Sequence, residues 1–360
     1  MKKEINRSLL TGITNKMINN RTVYGAILCI ESGDGSLSWS GAAGNLHHED
    51  RYYIASVTKL YITTLILKLR NEGRLKLDDK IVQYFPEGYL DGLHLLNGTD
   101  YTDKITISHL LSNTSGIPDY FSDKQGSGKK AAEDLFAGKD EPWPLEKSLK
   151  HVKNITPKFK PGQKGKAQYS DTNFQLLGRI IETITGNDLA EVFRERIFDE
   201  LELKDTYAYR DVNDDTPAKM YYKTRQLHLP RYIASVTAEG GIVSTAKEVM
   251  IFLKAFFNGR FFPKEDLEEL KKWNLIWFPG QFYFGIGLEK LWTPWFIAPF
   301  KPIGELLGCW GQSGAFAFYN PENDLYFTGT VNQLSGFGHS AAFRAMIKII
   351  KSANSGKLYE

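Results

Sequence analysis

Hydrophobic and polar positions change period several times along the chain. Val23 to Glu31 is a nearly unbroken apolar run and predicts a buried strand. A Gly33-Asp34-Gly35 turn follows, and Ser36 to Ser40 returns as a second strand, making a hairpin. From Ser56 to Gly73 the period becomes helical. Leu60, Thr63, Leu65, Ile66, Leu67 and Leu69 crowd one long helix, and Asn71-Glu72-Gly73 stops it. Residues 80–225 hold several helical stretches broken by polar loops such as Lys124 to Lys130, and the clearest helix, Phe174 to Thr185, is closed by Gly186. A Gly240-Gly241 turn precedes the helix Thr245 to Phe257. Strand patterns return at Gly285 to Lys290, Leu307 to Tyr319 and Leu325 to Asn332, and Ser340 to Lys351 is the last helix. Strands thus lie at both ends and helices between. The simplest assembly is one α/β (α+β) domain from residues 1–80 and 226–360, with a mostly helical inserted domain over 81–225. No internal repeat is visible.

Composition narrows the function. The 360 residues are 42% hydrophobic and 13% aromatic, ample material for a core. Lys plus Arg number 45 against 42 Asp plus Glu, a net +3, far from the one-sided excess of nucleic-acid binders. No run of about 18 apolar residues predicts a transmembrane helix. The N-terminus has basic residues but no apolar stretch behind them, so the expected location is cytoplasmic as the sequence stands, or extracytoplasmic if a leader has been removed. Cys29 and Cys309 sit in apolar strand-like runs and read as buried free thiols. Phosphate-loop, dinucleotide, H-E-x-x-H and G-x-S-x-G patterns are all missing. His47-His48-Glu49-Asp50 reads as a solvated loop, and no metal is expected.

Ser56-Val57-Thr58-Lys59 carries the sharpest chemistry. On a helix, residues three apart share a face, with Cβ atoms about 5–6 Å apart. Ser56 falls in the first turn, where free N–H groups and the helix dipole favour developing negative charge. Lys59, half-buried by the apolar helix, is placed to help remove the serine proton. The spacing alone is weak. Ser127/Lys130 repeats it in a Gly/Lys loop, and Ser244/Lys247 repeats it at the start of an amphipathic helix. Tyr169-Ser170-Asp171 lies on a loop running into the Phe174 helix, where a phenol can relay a proton to a lysine or simply pack. Gln312-Ser313-Gly314 lies on or beside a strand, and its glycine either admits a ligand close to the backbone or marks a bulge.

Taken in order, these segments resemble the serine penicillin-recognising family: class C β-lactamases, D-alanyl-D-alanine carboxypeptidases, and related esterases and D-amino-acid peptidases. Ile105 to Ile117, Gly178 to Gly186, Ile197 to Thr206 and Gly240 to Thr245 also resemble segments of that family, so the likeness covers about residues 15–350. It implies a β-lactamase/transpeptidase-like fold, an antiparallel sheet flanked by helices. It implies that Ser56 attacks a carbonyl and carries the acyl group, and that Lys59 and Tyr169 share the proton transfer. The backbone N–H groups of Ser56 and Ala315 would form the oxyanion hole. Asp171, Gln312, Ser313 and Gly314 would contact substrate. Neither a metal nor an organic cofactor is implied.

Two departures bear on substrate. Relatives acting on penicillins commonly have Asn where this chain has Asp171, and an ionised Asp cannot donate to a substrate carbonyl but can pair with Lys59. Relatives commonly have Lys or His where this chain has Gln312, so a cation for a substrate carboxylate is missing. His339 or Arg344, on or near the last helix, are the candidates to replace it. Seven lysines between Lys147 and Lys166 read as a solvated surface, with steering of an anionic substrate as the alternative. Ten aromatics between Trp273 and Phe300 read chiefly as core, while Phe296 to Phe300 reads as an apolar loop suited to a lipophilic group.

The expected function is a serine hydrolase working through an acyl-enzyme on a small ester or amide. The alternative within the class is a true β-lactamase or D-Ala-D-Ala carboxypeptidase. From other classes come a non-hydrolytic penicillin-binding or sensing protein, and peripheral membrane attachment through the aromatic segment. Expected partners are small ester, amide or β-lactam-like molecules, not nucleic acid.

Overall fold

Eight strands from the two ends of the chain form one antiparallel sheet. Their order is Asn274–Trp277, Phe282–Phe284, Glu289–Trp292, Glu305–Trp310, Ala315–Asn320, Leu325–Thr330, Gly25–Ser32, Ser38–Gly44. The computed structural model describes residues 4–19, 21–124, 128–277, 282–293 and 303–359. Alternation along each strand sorts side chains between two cores. Ile27 and Cys29 enter one, and Leu28 and Ile30 enter the other. The second core is covered by the terminal helices Arg7–Asn15 and Gly336–Asn354, through Leu10, Ile13, Met346 and Ile350.

The first core holds the helix Thr58–Asn71. Every residue from Thr58 to Leu67 is buried, as expected of a helix apolar on all sides and surrounded by protein. Tyr61 stacks on Phe252 of the helix Ala246–Phe257 with ring centroids 3.5 Å apart. The helix Asp171–Thr185 packs alongside and ends at Gly186, whose φ of 75° suits glycine. A small sheet of Tyr52–Tyr53, Ile242–Ser244 and Tyr207–Ala208 closes that side. The same apolar cluster contains Ile27, Leu60, Leu110, Leu177 and Ile242, so the central segment shares its core with the two ends.

The structure departs from the expected strands in two places. Gly285 to Lys290 is chiefly a turn between Phe282–Phe284 and Glu289–Trp292, not a strand. Gly285 N–H donates to Leu288 O, and Gly287, at φ 66°, lies so close to Thr63 that a Cβ would collide with its side chain. Leu307 to Tyr319 is two strands, Glu305–Trp310 and Ala315–Asn320, with residues 311–314 as the hairpin turn. The second strand of the first hairpin starts at Ser38 and runs on to Gly44. Both cysteines are buried and unpaired.

Candidate active site

Ser56 occupies a single 3₁₀ turn, Ala55–Val57, immediately before the helix Thr58–Asn71. Ala55 has φ 46°, a left-handed conformation that costs a residue with a Cβ free energy and commonly accompanies functional sites. The surrounding backbone holds the turn. Ile54 N–H donates to Ile242 O at 3.0 Å, and the Cys309 thiol donates to Ser56 O at 2.9 Å.

Lys59 lies one turn on, and its side chain is 1% exposed. Its Nζ donates to Ser56 Oγ at 3.0 Å and to Glu239 O at 2.9 Å, and it pairs with Asp171 Oδ1 at 2.7 Å. Ser56 Oγ and Glu239 O each accept one N–H of Nζ, and the contact with Asp171 is an ion pair. The rings of Tyr169 and Phe174 each lie 5.2 Å from Nζ.

Tyr169 precedes the helix that Asp171 begins, so the phenol stands on a loop while the carboxylate is fixed in a first helical turn. Asn113 Oδ1 accepts from Ser170 N–H and from Asn173 Nδ2, and Gln168 N–H donates to Asn113 O at 2.9 Å, which clamps this loop. Burial first, then the charge of Asp171, push the Tyr169 phenol well above its usual range, and a hydrogen bond with Ser56 opposes them. Tyr169 is therefore a neutral phenol on the cavity wall that also holds the serine.

Gln312-Ser313-Gly314 forms the turn between two strands rather than a strand. Ser313 Oγ donates to Tyr53 O at 2.6 Å, which ties the turn to the segment carrying Ser56. Gly314 has φ 92°, and a Cβ there would lie 2.9–3.0 Å from Val331 and the Gln333 backbone. Turn geometry and packing, not ligand approach, require this glycine. Val331 N–H donates to Gly314 O at 3.1 Å, so Ala315 and Thr330 form a non-hydrogen-bonded pair and the Ala315 N–H faces away from that neighbouring strand.

These segments meet on one cavity of about 550 Å³, lined by Ser56, Tyr169, Asp171, Gln312 and Ser313. Apolar walls come from Phe121, Phe136, Met220, Tyr232 and Ile233 on one side and Trp292, Trp310 and Phe343 on the other. Sequence reasoning missed three buried carboxyls that also line it: Asp119, Glu239 and Glu289. Burial first and Asp171 second push Asp119 up to about 7 and Glu239 up to about 8. Burial pushes Glu289 up to about 7 although Trp310 N–H donates to its Oε2 at 2.7 Å. Their signal in the sequence was a lone acid in an apolar run, as in Ala238-Glu239-Gly240-Gly241-Ile242.

Other expectations resolve differently. His339 lines the cavity, but burial holds its imidazole below the usual range, so it supplies no cation at neutral pH. Arg344 is exposed on the last helix and is not part of the cavity wall. None of the seven lysines from Lys147 to Lys166 lines the cavity. Lys147 pairs with Glu141 and Lys158 with Asp123. Phe278, Trp295 and the Phe296 to Phe300 loop lie outside the described residues, as does Ser127. Ser244, the other repeat of the serine–lysine spacing, is buried in a strand and bonded to Thr206. Among the described residues no helix is long and apolar enough to cross a membrane, and no cluster of His, Cys, Asp and Glu is arranged to hold a metal.

The sequence profile of the Beta-lactamase family matches residues 19–349. The chain belongs to the beta-lactamase family. Among relatives of this beta-lactamase-family chain, the D-alanyl-D-alanine-carboxypeptidase/endopeptidase AmpH of Escherichia coli (strain K12) is 26% identical over 274 residues, 74% of this chain and 66% of that protein. A putative D-alanyl-D-alanine carboxypeptidase of the same organism is 35% identical over 157 residues, 43% of this chain and 33% of that protein. The chain thus spans less than two thirds of the length of these curated relatives. Among solved structures, a D-stereospecific amidohydrolase from Streptomyces sp. superposes with TM-score 0.75 at 26% identity, over 93% of this chain and 98% of that one. The D-amino acid amidase of Ochrobactrum anthropi SV3 shares the fold, with TM-score 0.77 at 22% identity over 95% and 99%. The expected antiparallel sheet flanked by helices is therefore the fold of this beta-lactamase-family member.

Proposed function

We propose that the chain is a serine hydrolase that forms an acyl-enzyme on Ser56 and acts on small amides or esters carrying an apolar group. The observation that carries the reading is the contact of Ser56 Oγ with Lys59 Nζ at 3.0 Å, with Tyr169 beside them on the wall of one largely apolar cavity.

In this reading Ser56 Oγ attacks the carbonyl carbon, and its proton enters the Lys59–Asp171–Tyr169 group. A lysine holding three protons accepts another only after passing one on, and Asp171 at 2.7 Å is the nearest acceptor. The backbone N–H groups of Ser56 and Ala315 stabilise the oxyanion, and loss of such a donor costs about 10²–10³ in rate. The proton returns to the leaving nitrogen or oxygen. Water then repeats the path in reverse roles and frees the acid. Amide substrates are favoured by the amidohydrolase among the structural relatives.

The second reading is a D-Ala-D-Ala carboxypeptidase or a class C-like β-lactamase. It is supported by the curated relatives and by the motif order. A panel of p-nitrophenyl esters, amino-acid amides and a chromogenic cephalosporin, run beside Ser56→Ala, separates the two. Ester or amide turnover above cephalosporin turnover supports the first, and the opposite order supports the second.

A further inference from the structure

The turn at residues 311–314 ends at Ala315, whose N–H the hydrolase reading places in the oxyanion hole. One side of the turn rests on the segment leading to Ser56. Ser313 Oγ donates to Tyr53 O at 2.6 Å, and a Cβ on Gly311 would collide with Ile54 O. A second tie runs from Gln312 Nε2 to Leu334 O at 2.6 Å. The turn closes on Gly311. Its N–H donates to Ala315 O at 2.8 Å, and its carbonyl accepts from Gly314 N–H at 2.9 Å.

The Gly311 carbonyl has a further lone pair, and the last helix meets it. His339, near the start of Gly336–Asn354, has its Nε2 2.9 Å from Gly311 O. A carbonyl only accepts, so the proton of this contact is on Nε2. The same ring packs on Trp310, with centroids 4.9 Å apart. His339 also lines the cavity, and burial keeps its imidazole neutral. The imidazole therefore bonds the one carbonyl on which the turn before Ala315 is built.

We propose that His339 is a positioning residue for the reaction at Ser56: its Nε2–H holds the Gly311 carbonyl and, through the turn, keeps the Ala315 N–H aimed at the substrate's carbonyl oxygen. The inference rests on the hydrolase reading above. Its loss is felt in the transition state, because the oxyanion develops only there.

Two substitutions separate the hydrogen bond from the packing. His339→Phe keeps a ring against Trp310 and removes the donor, while His339→Gln puts an amide N–H at a similar reach. A small misplacement of a catalytic group is costly, so His339→Phe is expected to lower kcat for p-nitrophenyl butyrate at least about tenfold with KM within about twofold. Phenylboronic acid, whose adduct on Ser56 puts an oxygen in the oxyanion hole, should bind that variant more weakly by a similar factor. His339→Gln should recover kcat to within about threefold of wild type. Amide hydrogen exchange in the peptide spanning residues 311–316 reads the turn without turnover, and is expected to be at least about fivefold faster in His339→Phe and near wild type in His339→Gln. Should the phenylalanine variant not fold, His339→Asn, whose amide is too short to reach Gly311 O, takes its place. Wild-type kcat in His339→Phe, a change in KM alone, equal losses in the Phe and Gln variants, or unchanged exchange overturns the inference. p-Nitrophenyl acetate separates the failures: no turnover and no acyl adduct in the wild type would remove the hydrolase reading, while the exchange comparison still decides whether His339 holds the turn.

Discussion

The buried ammonium of Lys59 lies 2.7 Å from Oδ1 of Asp171. The helix Thr58–Asn71 carries the one and the first turn of Asp171–Thr185 carries the other, so the ion pair joins the two elements that hold the proposed nucleophile and its proton relay. Removing one partner of a buried pair leaves an uncompensated charge and costs about 3–5 kcal/mol. Asp171 is 14% exposed, which puts Asp171→Asn near the lower end. Urea denaturation of that variant is expected to give a stability loss of about 3 kcal/mol. An unchanged midpoint would mean that the pair contributes nothing to the fold.

Tyr169 lines the cavity with Ser56 as a neutral phenol, which suits proton transfer rather than substrate anchoring. Tyr169→Phe is expected to lower kcat by about 10²–10⁴ and leave KM nearly constant. A change in KM alone would assign the phenol to binding.

Glu239 titrates near 8 in the folded chain, above the usual value of about 4.3 for a free Glu. The folded state therefore holds this proton more tightly than the unfolded state. Its contribution to stability is complete below about pH 4 and is lost as pH rises to and through about 8. Glu239→Gln keeps the shape of the protonated acid without the charge. Its stability relative to wild type should increase between about pH 5 and pH 8.5, measured by urea midpoints. Parallel pH profiles would contradict the assignment of that proton.

How far the sequence reveals the site depends on whether a feature is local. The helix after Ser56 and the glycine stop at Gly186 depend on nearby residues, so their patterns are plain. Ser56 and Lys59 are three residues apart, and their contact follows from helix geometry. The turn at 285–288 was hidden because its cause is a distant one, the crowding of Gly287 against Thr63. The orientation of Gln312 was hidden for the same reason, since its partner is Leu334. Asp119, Glu239 and Glu289 are separated by more than a hundred residues overall, and only the fold brings them around one cavity.

Restoring the residues common among penicillin-acting relatives should move specificity. Gln312→Lys with Asp171→Asn places a cation and an amide donor where this chain has a neutral amide and a carboxylate. A charged hydrogen bond contributes about 1.5–3 kcal/mol against about 0.5–1.5 for a neutral one. The double variant is therefore expected to raise the ratio of cephalosporin to p-nitrophenyl butyrate turnover by about tenfold. A wild-type protein that already prefers the cephalosporin would mean that neither substitution sets specificity.

The central claim is that Ser56 is the nucleophile, and peptide mass mapping after reaction with an active-site serine reagent tests it most directly. One adduct per chain is expected, on the peptide containing Ser56, with no adduct and no ester turnover in Ser56→Ala. Label on Ser127 or Ser244, or full ester turnover in Ser56→Ala, would contradict the account.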